Sequence, residues 1–486
     1  MSRNKIVTSM STLRAIGLAS VTGFTLTIAS LATLAAVKYP GSPGIFSFFS
    51  ACFFSLIILI APRPRHYGYA FFATFLFLGF WTKTAIQVIW APAFLEPVGD
   101  FAGAPQAWDN ALMAAACGAL GLVAARVAHL LVTRRNLSRD TIDVTHTVPL
   151  WYPANKRLIW AFSIVVILAL NTANYYYAFY KIGVIPLFIL PLHLNVIASW
   201  LINIGFAMWL ATLVFWDINH KPRVIPNSLP MPLFEAFLSS TSAMSRGIFL
   251  FHALPYFVAL AANSRGSGAK NYRLILRTVA LWLIALFLLS LSIVFWLRMP
   301  SVHGPDVQLA PAADVMRTYR KDVTTQLPVL LAQRWVGLEG VLAVEAAQNR
   351  GRDLFSLVIA DSAKNGADSI YQKIAKVDYN RDDPGKHYLS NAGVIAILYT
   401  SNSLFIVFSG MAMLGLILAV SEALAHCWTG NFILTSLSGA GLANVMAQTT
   451  FPYLTLIFII QLWITIGILG SFSRLNFNIP GVKKSA

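Results

Sequence analysis

Long apolar runs alternate with short polar stretches along this chain, and one hydrophilic insertion interrupts the alternation. A helix that crosses a bilayer needs roughly 20 mostly apolar residues. Runs of that kind fall near Ala15–Val37, Gly44–Ala61, Tyr69–Trp90, Ala111–Val132, Leu158–Tyr180, Val196–Trp216, Leu274–Leu297, Leu404–Ala425 and Tyr453–Leu469, with a shorter one at Phe432–Ala447. The first is longer than the apolar region of a signal peptide and lacks a clear cleavage site, so it reads as a span. Ile182–Asn195 carries two prolines and reads as a bent or re-entering segment.

Leu229–Arg246 and Gly247–Asn263 are short for full spans and read as the rising and descending arms of a helical hairpin. That pairing keeps the basic loop Ser264–Arg273 on the cytoplasmic side. The expected fold is all-α: a polytopic integral membrane protein with about twelve transmembrane helices. Residues 1–297 would form an amino-terminal bundle, 298–390 one large external helical insertion, and 391–486 the closing helices.

Composition and charge sharpen this picture. Hydrophobic residues make up 57% of the 486 and charged residues only 11%, against roughly 25% charged in soluble domains. The stretch 299–388 holds eleven basic and eleven acidic residues, so the whole net charge of +17 lies outside it. A Lys/Arg excess beside apolar spans marks cytoplasmic loops, and both termini fall on that side. Ala91–Asn110 has Glu96, Asp100 and Asp109 but no Lys or Arg, which places it outside with the insertion. No basic patch interleaved with aromatics suggests nucleic acid.

Within the insertion, helices are expected at Pro311–Gln326, at Leu330–Gln348 and at Asp353–Lys376, the last broken near Asn365-Gly366. Arg317, Arg320 and Lys321 share one face of the first. They suit a pyrophosphate or a merely solvated face. Arg334 sits in the apolar context LLAQRWVGLEG. Its planar fork of donors suits phosphate, and the bland alternative is a structural or snorkelling arginine. Glu339 lies about 140 degrees from Arg334 on an ideal helix. It suits a base for an acceptor hydroxyl, or a structural ion pair. Arg246 is isolated among apolar residues. His303, Lys386 and His387 flank the insertion, and His387 is the candidate for a lipid-linked phosphate. Glu235 and His252 read as cavity or packing residues.

No metal is expected. Asp378, Asn380 and Asp382 imitate the start of a calcium loop, but its glycine position is Asp383 and its twelfth position is Leu389. Cys52, Cys117 and Cys427 lie in or beside apolar segments without metal or disulfide spacing. No HExxH, Walker A or GxGxxG motif stands in a suitable context.

Several stretches together give a resemblance. RWVGLEG in a late external insertion, KHYLSNAGVIAILYTSNSLFIVFSG from Lys386 to Gly410, WTKTAIQVIWAPAFLEPVGDF and SSTSAMSR look like the bacterial O-antigen polymerase type of membrane protein. The resemblance implies a GT-C-like, metal-independent and cofactor-free glycosyltransferase of the inner membrane. It would join undecaprenyl-pyrophosphate-linked oligosaccharide repeat units, with the bilayer and a chain-length regulator protein as partners. Carried onto this chain, it makes Arg334 and Glu339 the catalytic candidates. Arg246, Arg317, Arg320 and His387 become the substrate-binding ones. An O-antigen ligase-type transferase and a flippase or transporter of lipid-linked sugars stay open as alternatives.

Overall fold

The computed structural model describes residues 25–60, 66–136, 148–182, 188–220, 227–263, 270–303, 317, 321, 334–378 and 389–474. Among these there is no strand. The helices, in order, are α1 (Thr25–Lys38), α2 (Pro43–Ile58), α3 (Tyr67–Trp90), α4 (Pro105–Asn136), α5 (Trp151–Tyr177), α6 (Leu194–His220), α7 (Met231–Ser242), α8 (Arg246–Asn263) and α9 (Lys270–His303). In the insertion come α10 (Leu338–Ala346), α11 (Arg352–Ala360) and α12 (Ile370–Ala375). Then follow α13 (Val394–Tyr399), α14 (Leu404–Thr429), α15 (Phe432–Ala447) and α16 (Pro452–Arg474). Seven of them, α3, α4, α5, α6, α9, α14 and α16, are long and apolar enough to cross a membrane. The protein is thus an all-helical chain of the membrane type.

The junction between α14 and α15 shows the local chemistry that sets helix ends. Ser403 caps α14 by accepting from the N–H of Ile406, and α14 stops at Gly430, whose φ is 62°. Asn431 then caps α15 through the N–H groups of Ile433 and Leu434. Side-chain acceptors at the N-cap and a left-handed glycine after the last turn are the common ways to satisfy helix ends. Two helices carry a π-helical turn, Phe77–Thr82 in α3 and Leu201–Gly205 in α6. Such turns widen one side of a helix and gather at functional sites.

The centre of the bundle is α15. It carries no charged residue, is buried along nearly all its length, and touches α3, α6, α8, α14 and α16. Its Ser, Gly and Ala residues let neighbouring helices approach closely, as in packed membrane helices. Around it, α14 lies along α4, α2 lies along α4, and α7, α8 and α9 pack on one another.

Hydrogen bonds sort the helix ends onto two faces. At one end, the N–H of Ile182 donates to the carbonyl of Ala243 at 3.1 Å, and Arg298 Nε donates to Met244 O at 2.9 Å. The turn between α7 and α8 therefore sits beside the end of α9. The loop after α3 meets the insertion there: Gly99 N–H donates to Ala375 O at 3.1 Å, and Lys376 pairs with Asp100. At the opposite end, Asp217 accepts from Tyr152, Lys156 and Ser228, and Asn263 reaches Tyr67.

The insertion departs from its expected shape. Of the helix expected at Leu330–Gln348, residues 334–337 run non-helically into the bundle and a helix starts at Leu338, while 330–333 lie outside the described residues. The cause is packing: the backbone of Val336 and Gly337 lies against Gly79. The helix expected at Asp353–Lys376 forms as two helices joined by a 3-10 turn, Ala363–Asp368, in which Gly366 has φ 53°. Of the expected helix at Pro311–Gln326, only Arg317 and Lys321 are described.

Candidate functional site

The site grows from the π-helical turn of α3. Gly79 lies in that turn, and a methyl group on it would stand 2.1 Å from the carbonyl oxygen of Val336. A methyl group on Gly337 would in turn stand 2.7 Å from the carbonyl oxygen of Gly79. Only two glycines let the RWVG stretch press backbone to backbone on α3. One turn further along α3, Lys83 donates to Trp335 O at 2.7 Å and to Glu339 Oε2 at 2.6 Å. The two charged side chains are 3% and 5% exposed. Trp335 stacks on Phe75 with ring centroids 6.1 Å apart.

This arrangement answers what the sequence left open for Glu339. It points to Lys83 and is buried with it, while Arg334, five residues earlier, is exposed. Desolvating a charge is costly unless it is paired and hydrogen-bonded, and Lys83 satisfies both Glu339 and the Trp335 carbonyl. The pair fixes the non-helical RWVG segment and so fixes where Arg334 emerges. Glu96, from the loop after α3, and Arg334 both act electrostatically on Lys83.

A basic group gathers beside Arg334. Arg246, the first residue of α8, holds its guanidinium over the Phe295 ring at 4.4 Å. Its Nη1 is buried without a hydrogen-bond partner. Arg298 and Arg334 are its two electrostatic neighbours. Arg246, in the hairpin, thus feels two further guanidinium groups, Arg298 near the end of α9 and Arg334 in the insertion. Such groups offer paired planar donors to phosphate oxygens. Arg317 is exposed and has no described contact with this group. Arg320 and His387 lie outside the described residues.

A second buried network braces the insertion. Glu345 Oε2 accepts from Tyr399 Oη at 2.6 Å and from Arg350 Nη1 at 2.5 Å, and Oε1 accepts from Asn110 at 2.9 Å. Burial first, and then Glu345, push the Tyr399 hydroxyl well above the usual phenol range, so it stays a donor. This network ties α10 and α13 to the start of α4. Among the described residues, no group of three His, Cys, Asp or Glu side chains is placed to hold a metal ion. Asp378 is described, while Asn380 and Asp382 lie outside the described residues.

Sequence reading singled out Arg246, Arg334 and Glu339. It missed Lys83 as the partner of Glu339, and it missed Arg298 and the Glu345 network. A charge within an apolar span was a signal that Lys83 needed a counter-ion, but nothing local named it. No family model matches the chain, and no curated protein or solved structure matches it.

Proposed function

We propose that the chain is a metal-independent membrane glycosyltransferase that polymerises undecaprenyl-pyrophosphate-linked oligosaccharide repeat units. The observation that carries the reading is the electrostatic coupling of Arg246 to Arg298 and Arg334 at one end of an apolar bundle. A lipid-linked pyrophosphate presents its charge at the depth where a bundle of this kind ends. In this reading the bundle makes about twelve crossings in a GT-C-like arrangement. It sits in the bacterial inner membrane with both termini cytoplasmic and the arginine end outside.

The chemistry follows from the leaving group. The bond between the sugar's anomeric carbon and the pyrophosphate oxygen breaks, and the acceptor hydroxyl forms the new bond to that carbon. The departing pyrophosphate gains negative charge and can take the acceptor's proton. Fixed guanidinium donors stabilise that charge most when it develops in a preorganised site. Lys83 and Glu339 act in this scheme as positioning residues for Arg334, because both are buried in their own ion pair. The resemblance of RWVGLEG and its neighbours to O-antigen polymerases supports the same reading. O-antigen ligase-type transfer shares the scheme and differs in acceptor.

Transport of a lipid-linked sugar is a second reading, with an observation of its own. Buried ionisable groups also occur away from the arginine end, at Glu235 with His252 and at Glu422 near Arg126. Intramembrane charges often mark transport paths. The test is purified protein in liposomes given lipid-linked repeat units. Longer polymer formed without nucleotide or metal supports the transferase. Movement of the unit between leaflets with no change in its length sinks it and favours transport.

A further inference from the structure

His252 lies in the middle of α8, 2% exposed, with an acceptor facing each of its ring nitrogens. Nε2 is 2.7 Å from the carbonyl oxygen of Asn203, in the π-helical turn of α6. A carbonyl oxygen only accepts, so Nε2 carries a hydrogen. Nδ1 is 3.0 Å from Oε2 of Glu235 on α7. The other oxygen of that carboxyl, Oε1, accepts from the Ser239 hydroxyl at 2.7 Å. Two lone pairs facing each other at 3.0 Å repel, so one proton lies between Oε2 and Nδ1. Placed on Nδ1, it makes the ring a cation that donates from both nitrogens.

We propose that Glu235 and His252 form a buried proton-binding site, an imidazolium–carboxylate pair that joins α8 to α7 and to the π-helical turn of α6. The bound ligand is a single proton, held on Nδ1 between the ring and Glu235 Oε2. Its loss leaves a carboxylate facing a bare ring nitrogen in an apolar interior, with one interhelical hydrogen bond gone. Burying an unpaired charge in such a place is costly, so the proton and the packing of these three helices depend on each other.

The surroundings leave Glu235 as the charge that acts on His252. The facing helix α15 carries no charged residue. Arg277 and Arg298 of α9 lie near its two ends, and Arg298 is engaged with Met244 and Ile182. Asp217 of α6 is held by Tyr152, Lys156 and Ser228 at the other end of the bundle. Arg246 on α8 faces Phe295, Arg298 and Arg334. The site therefore stands apart from the arginine end and holds whichever reading of the overall function is right.

The experiment is nitrogen NMR on full-length protein in lipid, labelled with 15N-histidine, the His252 signals assigned by their loss in His252→Gln. At pH 8 an ordinary imidazole favours the neutral form by roughly 30-fold. The expected result is that His252 carries hydrogens on both nitrogens at that pH, and that Glu235→Gln converts it to the neutral ring. Should Glu235→Gln fail to fold, Ser239→Ala removes one donor from the carboxylate and is expected to move the Nδ1–H resonance. A bare ring nitrogen on His252 at pH 8 in the wild type overturns the proposal. So does a His252 spectrum that neither variant alters.

Discussion

Glu422, inside α14, accepts through Oε1 from the backbone N–H of Gly68 at 2.6 Å, across 354 residues of sequence. Gly68 is in the first turn of α3, where helix N–H groups have no partner within the helix. In the buried interior this bond does the work of an N-cap supplied by another helix. It explains why an acidic residue stands in an otherwise apolar span.

Glu422→Gln keeps an acceptor and is expected to preserve the fold. Glu422→Leu leaves the Gly68 N–H buried and unpaired, at a cost of about 1–3 kcal/mol. A methyl group on Gly439 would stand 2.5 Å from Glu422 Oε1, so Gly439→Ala should displace the carboxyl group and mimic the leucine variant. Thermal unfolding in detergent measures all three. Equal midpoints for Gln and Leu would remove the capping role.

The Lys83–Glu339 pair should show strong coupling. Removing one partner strands a buried charge, which costs about 3–5 kcal/mol, whereas replacing both with apolar residues is often neutral. Lys83→Met and Glu339→Leu are each expected to lower folded yield sharply. The double variant should recover much of it. Additive losses would show that the two charges do not stabilise one another.

Arg334 separates catalysis from structure. The proposed activity in Arg334→Lys should fall roughly 100- to 1000-fold, as when one donor to a developing anion is lost. The amount of inserted protein should not change, since Arg334 is exposed. Lys keeps the charge but not the two parallel donors. Polymer formed per unit of membrane-inserted protein is the measurement, and near-normal activity in the lysine variant would make Arg334 a structural residue.

Sidedness can be read with a thiol reagent. The Asp368 side chain, in the insertion, is 88% exposed, and Cys427 is exposed near the end of α14 that lies away from the insertion. In intact cells an impermeant maleimide should modify Asp368→Cys at once and Cys427 only after permeabilisation. The reverse order would turn the bundle over and remove the external placement of the arginines.

The sequence by itself determined the all-helical, membrane-type character and most helix positions. Phe432–Ala447 forms with the very bounds its apolar run suggested, and the hairpin forms with its turn at 243–245, a few residues before the Arg246–Gly247 junction expected of it. These features are local: a run of apolar residues sets a helix, and a glycine, proline or polar cluster ends it. The order of charges also marked Arg246 and Arg334 as unusual.

Only the tertiary structure decided what those charges do. Lys83 and Glu339 are 256 residues apart, and Glu235 meets a ring 17 residues away across a turn whose geometry the neighbouring helices fix. Helical propensity favoured a helix through Arg334, yet the contact of Gly79 with Val336 holds that stretch out of the helix. A buried charge must find its partner among groups that packing brings near. Packing is a property of the whole bundle, so no window of sequence contains it.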